Sequence, residues 1–507
     1  MSQSMLGIVV VVVLGAIWAW IGLSIARRVK SADDYLVGGR NVGIGLGSAT
    51  LLATWITGNT ILAAPESGYD MGILGVLGYA LLGGLGVMAF APLAKRIRTA
   101  IPNGRTVGDF FQIRFDHKNY VLFLIALIIW DVGWLLTQGL GAGILLQSVF
   151  GVPFHVGLVI TVAIVTAYVT FGGMRSVLGT DFLQCMLIMV VVFIFPAWVF
   201  GNAGFHTVYS GIQKLSPSAL SLTNPTGIAW LIAGPLIGIG EVFMDNTFWQ
   251  RAYSLRPSTV NKTYLFSGLG WMFVPIATGS LALVALGTGF KPNPVNSVAP
   301  DIVSQYTGQL GGVLFLALLW AAIASTLAAL LNAVAAIFMN DIYQRYINPN
   351  ATNKQLLKAG KIATVVIAVV TIIAAWPEPM TMLSLLTLMG VINAAYIIPI
   401  TLGLFWSKTN RHGVFYGALI GSIVGLFIYG NGTFDLIFVK IPVTHITWGG
   451  PYPGVIAGGF ISLTLTVVWS WLQPETFNFA SFRKYRADRA GVSVSSVSSE
   501  QVEVVRG

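Results

Sequence analysis

Charge is scarce in this chain: of 507 residues only 9% are Asp, Glu, Lys or Arg, against 55% hydrophobic. That excludes an ordinary soluble protein of this length, about a quarter of which would be charged. Cysteine is scarcer still. Cys185 stands alone inside an apolar run, so no disulfide framework exists and no redox compartment can be inferred. The five His residues show no metal-ligand spacing, and neither a nucleophile–base set nor a Gly-rich phosphate loop is present, so an enzyme is not expected. A net charge of +10 would suit nucleic acid as a partner. The basic residues lie instead in short stretches between apolar runs, where they orient spans and meet anionic membrane lipid.

What is abundant is apolar sequence of membrane-crossing length. Thirteen runs, 5–26, 43–66, 73–94, 119–149, 153–171, 179–201, 226–245, 263–287, 311–340, 362–376, 380–406, 413–430 and 453–473, each approach the roughly 20 residues that cross a bilayer. Threaded in alternation, they leave all but Lys214, Lys291 and Lys440 of the 28 Lys and Arg on one side, with none inside a span. The positive-inside rule makes that side cytoplasmic. The expectation is an all-α, polytopic protein of the plasma membrane with its N-terminus outside and C-terminus inside. The first run lacks a basic n-region and a small-residue cleavage site, and carries Arg27, Arg28 and Lys30 on its far side, so it reads as a retained anchor. Residues 1–473 form one transmembrane domain. The polar, Ser/Val-rich stretch 474–507 reads as a disordered cytoplasmic tail.

Two runs are locally odd. Residues 43–66 and 226–245 hold Gly, Pro and Thr clusters where a lipid-facing helix would carry Leu and Val. Breaks of this kind are tolerated only inside protein or beside a cavity. The two lie five spans apart and so cross in opposite directions, which points to an inverted-repeat transporter with 43–201 and 226–406 as its 5+5 repeats and a binding site at the breaks. Gly that merely permits close helix packing is the alternative for either run alone. In the ninth run Ala322 is followed by Ser325 and Thr326. Adjacent hydroxyls with a carbonyl one turn back suit a small hard cation; in isolation such hydroxyls usually just back-bond to their own helix.

Several motifs, in this order and at these places in the topology, carry a family resemblance. They are Asp34-Tyr35-Leu36-Val37-Gly38-Gly39-Arg40, Gly68-Tyr69, Thr106-Val107-Gly108-Asp109 with Arg114-Phe115, Gly172-Gly173-Met174-Arg175 with Thr180-Asp181, Gln250-Arg251-Ala252 and Asp341-Ile342-Tyr343. Across nearly its whole length the chain resembles the sodium:solute symporter family, which has a leucine-transporter-like fold. The resemblance implies a Na+ site formed by the carbonyls of Ala53, Ile56 and Ala322 and the hydroxyls of Ser325 and Thr326. It places Asp181 on the ion's exit path; a carboxylate favoured by a helix N-terminus is the equal alternative. It sets the solute pocket between 54–60 and 235–243, with Trp55, Thr57, Asn59, Thr60, Tyr79 and Glu241 as its candidates. Gly78, Tyr79 and Leu82 stand where sugar-transporting members carry a Tyr/Glu/Ser set, so a sugar is not expected. The stretch Val242-Phe243-Met244-Asp245-Asn246-Thr247-Phe248-Trp249-Gln250-Arg251-Ala252 is most similar to the urea-transporting branch, as are Leu388-Met389-Gly390-Val391-Ile392 and the run from Gly268 to Pro275.

Glu241 and Asp131 are ionisable residues inside apolar runs, which makes them functional candidates; pairing with a neighbouring hydroxyl or amide, or exposure at the interface, is the plainer alternative. For Glu241 the functional choices are a second cation, a carried proton, or selection of an amine or guanidine-like solute. The resulting expectation is a secondary active symporter coupling inward sodium flux to uptake of a small polar solute, urea among them. A proton-coupled carrier, or one for an amino acid, amine or carboxylate, is the rival within transport, and a membrane sensor the rival from another class.

Overall fold

The computed structural model describes residues 2–377, 382–431, 433–435, 440–442 and 449–484. Helix α1 (Gln3–Ala26) leads to the short α2 (Ala32–Val37). There the Ser31 hydroxyl accepts from the Asp34 amide and the Asp34 carboxylate accepts from the Ser31 amide, a reciprocal cap. Helices α3 (Ile44–Trp55) and α4 (Gly58–Met71) are two halves of one interrupted element. Then come α5 (Ile73–Ala100), α6 (Val107–Arg114) and α7 (His117–Phe150). Helix α8 (Phe154–Ala203) has 50 residues and bends at Gly173, whose φ of 51° is the left-handed conformation that glycine tolerates. Its two arms carry the expected runs 153–171 and 179–201.

Helix α9 (Phe205–Leu215) precedes a second interrupted pair, α10 (Pro225–Met244) and α11 (Asn246–Ser254). Helix α12 (Val260–Thr288) follows, then α13 (Val298–Ile337), which bends at Gly308 and runs on into a π-helical turn, Phe338–Ile347. Helices α14 (Asn353–Ala375), α15 (Met382–Phe405), α16 (Arg411–Tyr429), α17 (Pro451–Leu472) and the short α18 (Ala480–Lys484) complete the described residues. One small hairpin, Thr433–Asp435 against Lys440–Pro442, interrupts the α16–α17 link.

Eleven helices among the described residues are long and apolar enough to cross a membrane. The other two of the thirteen expected runs fall on the α3–α4 pair, whose halves are each short, and on the second arm of α8, which is continuous with the first. Helix length alone therefore does not fix the number of crossings. The apolar window of α13 is 89% buried and that of α1 only 22%, which makes α13 the centre of the bundle and α1 its lipid-facing flank.

Lipid tails are as apolar as Leu, so close backbone approach has to supply much of the packing between helices. Helices α5 and α10 show how: a Cβ on Gly238 would collide with the Leu82 carbonyl, and one on Gly86 with the Gly238 carbonyl. The loops at the basic end are tied by ion pairs, Asp33 to Arg105 at 2.6 Å and Asp34 to Arg175 at 2.5 Å. Burial raises the Asp33 carboxyl, but Arg105 and Arg40 outweigh it and hold it below the usual carboxylate value. Its contribution is therefore present at neutral pH and lost only as acid titrates it through that depressed value.

One expectation needs correction. The apolar span ends at Met244, as expected, but the basic residues between the apolar runs are expected in loops, and Arg251 is not in one. In the structure α11 carries the element on to Ser254, all nine of its residues are buried, and Arg251 is 1% exposed. A guanidinium is buried only with a partner, and this one has Asp181.

Candidate functional site

The site begins with the gap between α3 and α4. Ile56 leaves the helix at φ −83°, ψ 93°, and Thr57 caps α4. The Thr57 amide, which a continuous helix would direct to the Ala53 carbonyl, is taken by Thr60 Oγ1 at 3.0 Å. In return the Thr60 amide, which would have served the Ile56 carbonyl, donates to Thr57 Oγ1 at 3.2 Å. This is a capping box with threonine in the place usually held by Glu or Gln. It satisfies the amides of the break and deprives the Ala53 and Ile56 carbonyls of their helical donors. Two peptide oxygens in a water-poor interior are thus left to find another electropositive partner.

Helix α13 brings its hydroxyls to the same place. Thr326 Oγ1 lies 3.0 Å from the Thr54 carbonyl and 3.1 Å from that of Ala322, with one proton for the two. Ser325 donates to Asp181 Oδ1 at 2.7 Å, which leaves its lone pairs free to accept. Of the five expected cation ligands, Ala322, Ser325 and Thr326 are thereby joined to the α3 break through Thr54, the neighbour of Ala53. Ile56 makes no contact with α13 of this kind.

Asp181 is fully buried in the second arm of α8, well inside that arm, so the helix N-terminus alternative does not apply. Its Oδ2 pairs with Arg251 Nη2 at 3.0 Å and accepts from Thr50 and, at 3.3 Å, from Thr54. Arg251 also donates to Thr50 Oγ1 (3.2 Å), to the Thr247 carbonyl (3.2 Å) and to Thr54 Oγ1. The network joins α3, α8, α11 and α13.

Beside it lies a small cavity of about 10 Å3, the room of a single water. Trp55, Thr57, Thr60, Tyr79 and Glu241 line it, together with Leu82, Trp134, Trp271 and Leu386, of which Trp134 and Leu386 are in no motif that the sequence offers. Asn59, the sixth candidate, is buried with an unpartnered amide but does not line this cavity. The walls are aromatic: Trp55 sits 6.3 Å from Trp134 and 6.0 Å from Trp271, and Tyr79 stacks on Trp271 at 6.2 Å between ring centres. The two threonines spend their hydroxyls on the helix break. Glu241 is 0% exposed, and both its oxygens lack a hydrogen-bond partner among the described residues. Asp131, in α7, is equally buried and equally without one; it and Glu241 both lie within Coulombic reach of Asp245. Among the described residues neither carboxylate has the hydroxyl or amide partner, or the exposure, that the plainer alternative requires.

The pair formed by Arg251 and Asp181 sets a stability test. Arg251→Ala strands a buried carboxylate, with an expected loss of about 3–5 kcal/mol. Adding Asp181→Ala to that background should cost much less than Asp181→Ala costs alone. A double-mutant cycle on unfolding in detergent measures this; strictly additive losses would refute the coupling.

The sodium:solute symporter family model matches residues 35–421. Among curated proteins, the urea-proton symporter DUR3 of Oryza sativa subsp. japonica is 24% identical over 94% of this chain and 72% of its own length. The high-affinity proline transporter PutP of Bacillus subtilis is 24% identical over 83% of this chain and 92% of its own. Among solved structures, a Na+-coupled sialic acid symporter in a substrate-bound outward-open state superposes with a TM-score of 0.77 at 18% identity, over 93% of this chain and 99% of its own. That likeness carries the leucine-transporter-like fold. With most of its length matched in the order its motifs first suggested, the chain belongs to the sodium:solute symporter family.

Proposed function

We propose that this symporter couples sodium entry to the uptake of urea or a similarly small, planar, polar solute. The observation that supports sodium is the Thr57/Thr60 capping box, which strips helical donors from the Ala53 and Ile56 carbonyls at the end of α3, where the Thr326 hydroxyl meets the Thr54 carbonyl. Neutral oxygens of this kind suit a hard monovalent ion and need no deprotonation. Asp181 lies next to these ligands as the first station of the ion's exit, held ready by Arg251.

The solute reading rests on the cavity. Indole faces of Trp55, Trp134 and Trp271 accept a flat molecule by stacking, and the unpartnered Glu241 carboxylate accepts two parallel N–H donors, as it would from a guanidinium. Urea presents such a pair of donors on a planar frame. The cavity must widen to admit it, which fits a site opened alternately to either side as the core spans rock about it. One charge moving through about 100 mV yields about 2.3 kcal/mol and a tenfold sodium gradient about 1.4 kcal/mol. That suffices to concentrate a neutral solute several hundredfold. Proton coupling through Glu241 is the rival, favoured by its lack of any partner and by the rice relative's description as a urea-proton symporter.

Uptake of radiolabelled urea into proteoliposomes, with and without sodium, separates these readings. The account expects Ser325→Ala and Thr326→Ala each to raise the half-saturating sodium concentration and the double variant to abolish sodium-driven uptake. Glu241→Gln should lower urea affinity at least about tenfold, the loss of about 1.4 kcal/mol, while leaving the sodium dependence in place. Sodium dependence unchanged in the double variant would remove the sodium site; a lost pH dependence with urea affinity intact in Glu241→Gln would make the residue a proton carrier.

The charge pattern supports a multi-pass plasma-membrane protein with thirteen crossings, N-terminus outside. Cysteines placed at 214, 291 and 440 in a Cys185→Ala background should react with impermeant reagents from outside; reaction only from the cytoplasm would overturn the threading.

A further inference from the structure

At the flank of the bundle where α1 ends and α14 begins, a groove of about 580 Å3 opens between these two helices. Both pack on α8, which supplies its floor. The rotation of α1 is fixed by Gly22. A Cβ there would stand 3.0 Å from Tyr168 Cβ, and Ser176 donates to the Gly22 carbonyl at 2.5 Å. With Gly22 turned inward, Trp20 and Leu23 turn out, and Trp20 is 72% exposed. Phe171 of α8 forms the floor at 53% exposure, and Leu357 closes the α14 side.

One end of this apolar trough is cationic. Arg27 caps α1 and Lys361 rises from α14, its ammonium 5.1 Å from the centre of the Phe171 ring. Neither takes part in an ion pair among the described residues, and no acidic residue lines the groove. Arg28, Lys30, Lys354 and Lys358 lie close by in sequence and add to the positive potential. A soluble protein would hide such a surface of Trp, Leu and Phe. Here it lies on the least buried of the apolar helices, where the bilayer itself supplies the cover.

We propose that this groove is a binding site for one anionic phospholipid from the Lys/Arg-rich leaflet. Its phosphodiester lies between the Arg27 guanidinium, which pairs with phosphate oxygens in a fork, and the Lys361 ammonium. An acyl chain runs along Trp20, Leu23 and Phe171, with the indole at the headgroup boundary where tryptophan is enriched. A zwitterionic lipid fills the same apolar trough, but its own ammonium offsets the gain from two protein cations. The preference is therefore for net negative headgroups, the usual ligands of basic pockets between membrane helices.

The test is native mass spectrometry of the full chain in detergent, with dioleoylphosphatidylglycerol or dioleoylphosphatidylcholine added at equal concentration. The wild type should retain one phosphatidylglycerol at least about tenfold more than phosphatidylcholine, as expected for two basic contacts. The double variant R27Q/K361Q should lose that preference. R28Q/K358Q, with the same change in net charge, should keep it, as should the charge-conserving R27K/K361R. Where R27Q/K361Q does not fold, the single variants R27Q and K361Q serve, each lowering the ratio. Equal retention of the two lipids by the wild type overturns the proposal. So does a preference that survives R27Q/K361Q, or one that R28Q/K358Q removes equally, which would mean diffuse charge rather than a built site.

Discussion

A helix broken in the middle of a bilayer has no water to satisfy its loose ends, and that constraint governs the centre of this protein. The Thr57/Thr60 pair meets half of it. Each threonine hydroxyl takes the other's amide, so the donors of the gap are satisfied within four residues. The Ala53 and Ile56 acceptors are not. A helix end that satisfies its amides and exposes its carbonyls is an electronegative surface, and Thr326 of α13 reaches that end at the Thr54 carbonyl. The cation-binding character proposed for this site thus follows from how a local break is capped, with no acidic ligand set needed.

The second break is organised by charge. Helix α10 stops at Asp245 and α11 resumes at Asn246, which carries Arg251 inward to Asp181. The Coulombic gain between fully buried partners is large, but so is the cost of stripping both of water. Hydroxyls from Thr50, Thr54 and Ser325 offset part of that cost by satisfying the remaining lone pairs and N–H groups. Since these residues belong to both interrupted elements and to α8 and α13, the pair ties four helices together. Glu241 and Asp131, buried without such partners, stand in contrast: one faces the aromatic cavity and the other lies deep in α7.

Much of this was legible in the chain. Apolar run length located the membrane helices, and Gly, Pro and Thr clusters marked both interrupted elements, since few other residues tolerate a break there. Five of six solute candidates line one cavity because four of them lie on or beside those breaks. What stayed hidden depends on tertiary contact. Arg251 resembled the topogenic charges of a loop, and its partner lies 70 residues away. Trp134 and Trp271 come from α7 and α12 and look like ordinary membrane aromatics until the bundle closes around them. The capping box is hard to read in the sequence because threonine stands where Glu or Gln normally signals one, and Asn59, a solute candidate beside the break, does not line the cavity.

The most direct test of the central claim is equilibrium binding of radiosodium to the purified protein, in the absence of solute, with Thr60→Val compared to the wild type. Valine keeps the side-chain volume and removes the hydroxyl that holds the Thr57 amide, without altering any proposed sodium ligand. If the capping box is what frees the Ala53 and Ile56 carbonyls, sodium affinity should fall at least about tenfold, a loss of about 1.4 kcal/mol, in a protein whose melting behaviour shows it still folded. Sodium binding to the folded Thr60→Val protein with wild-type affinity would contradict the account.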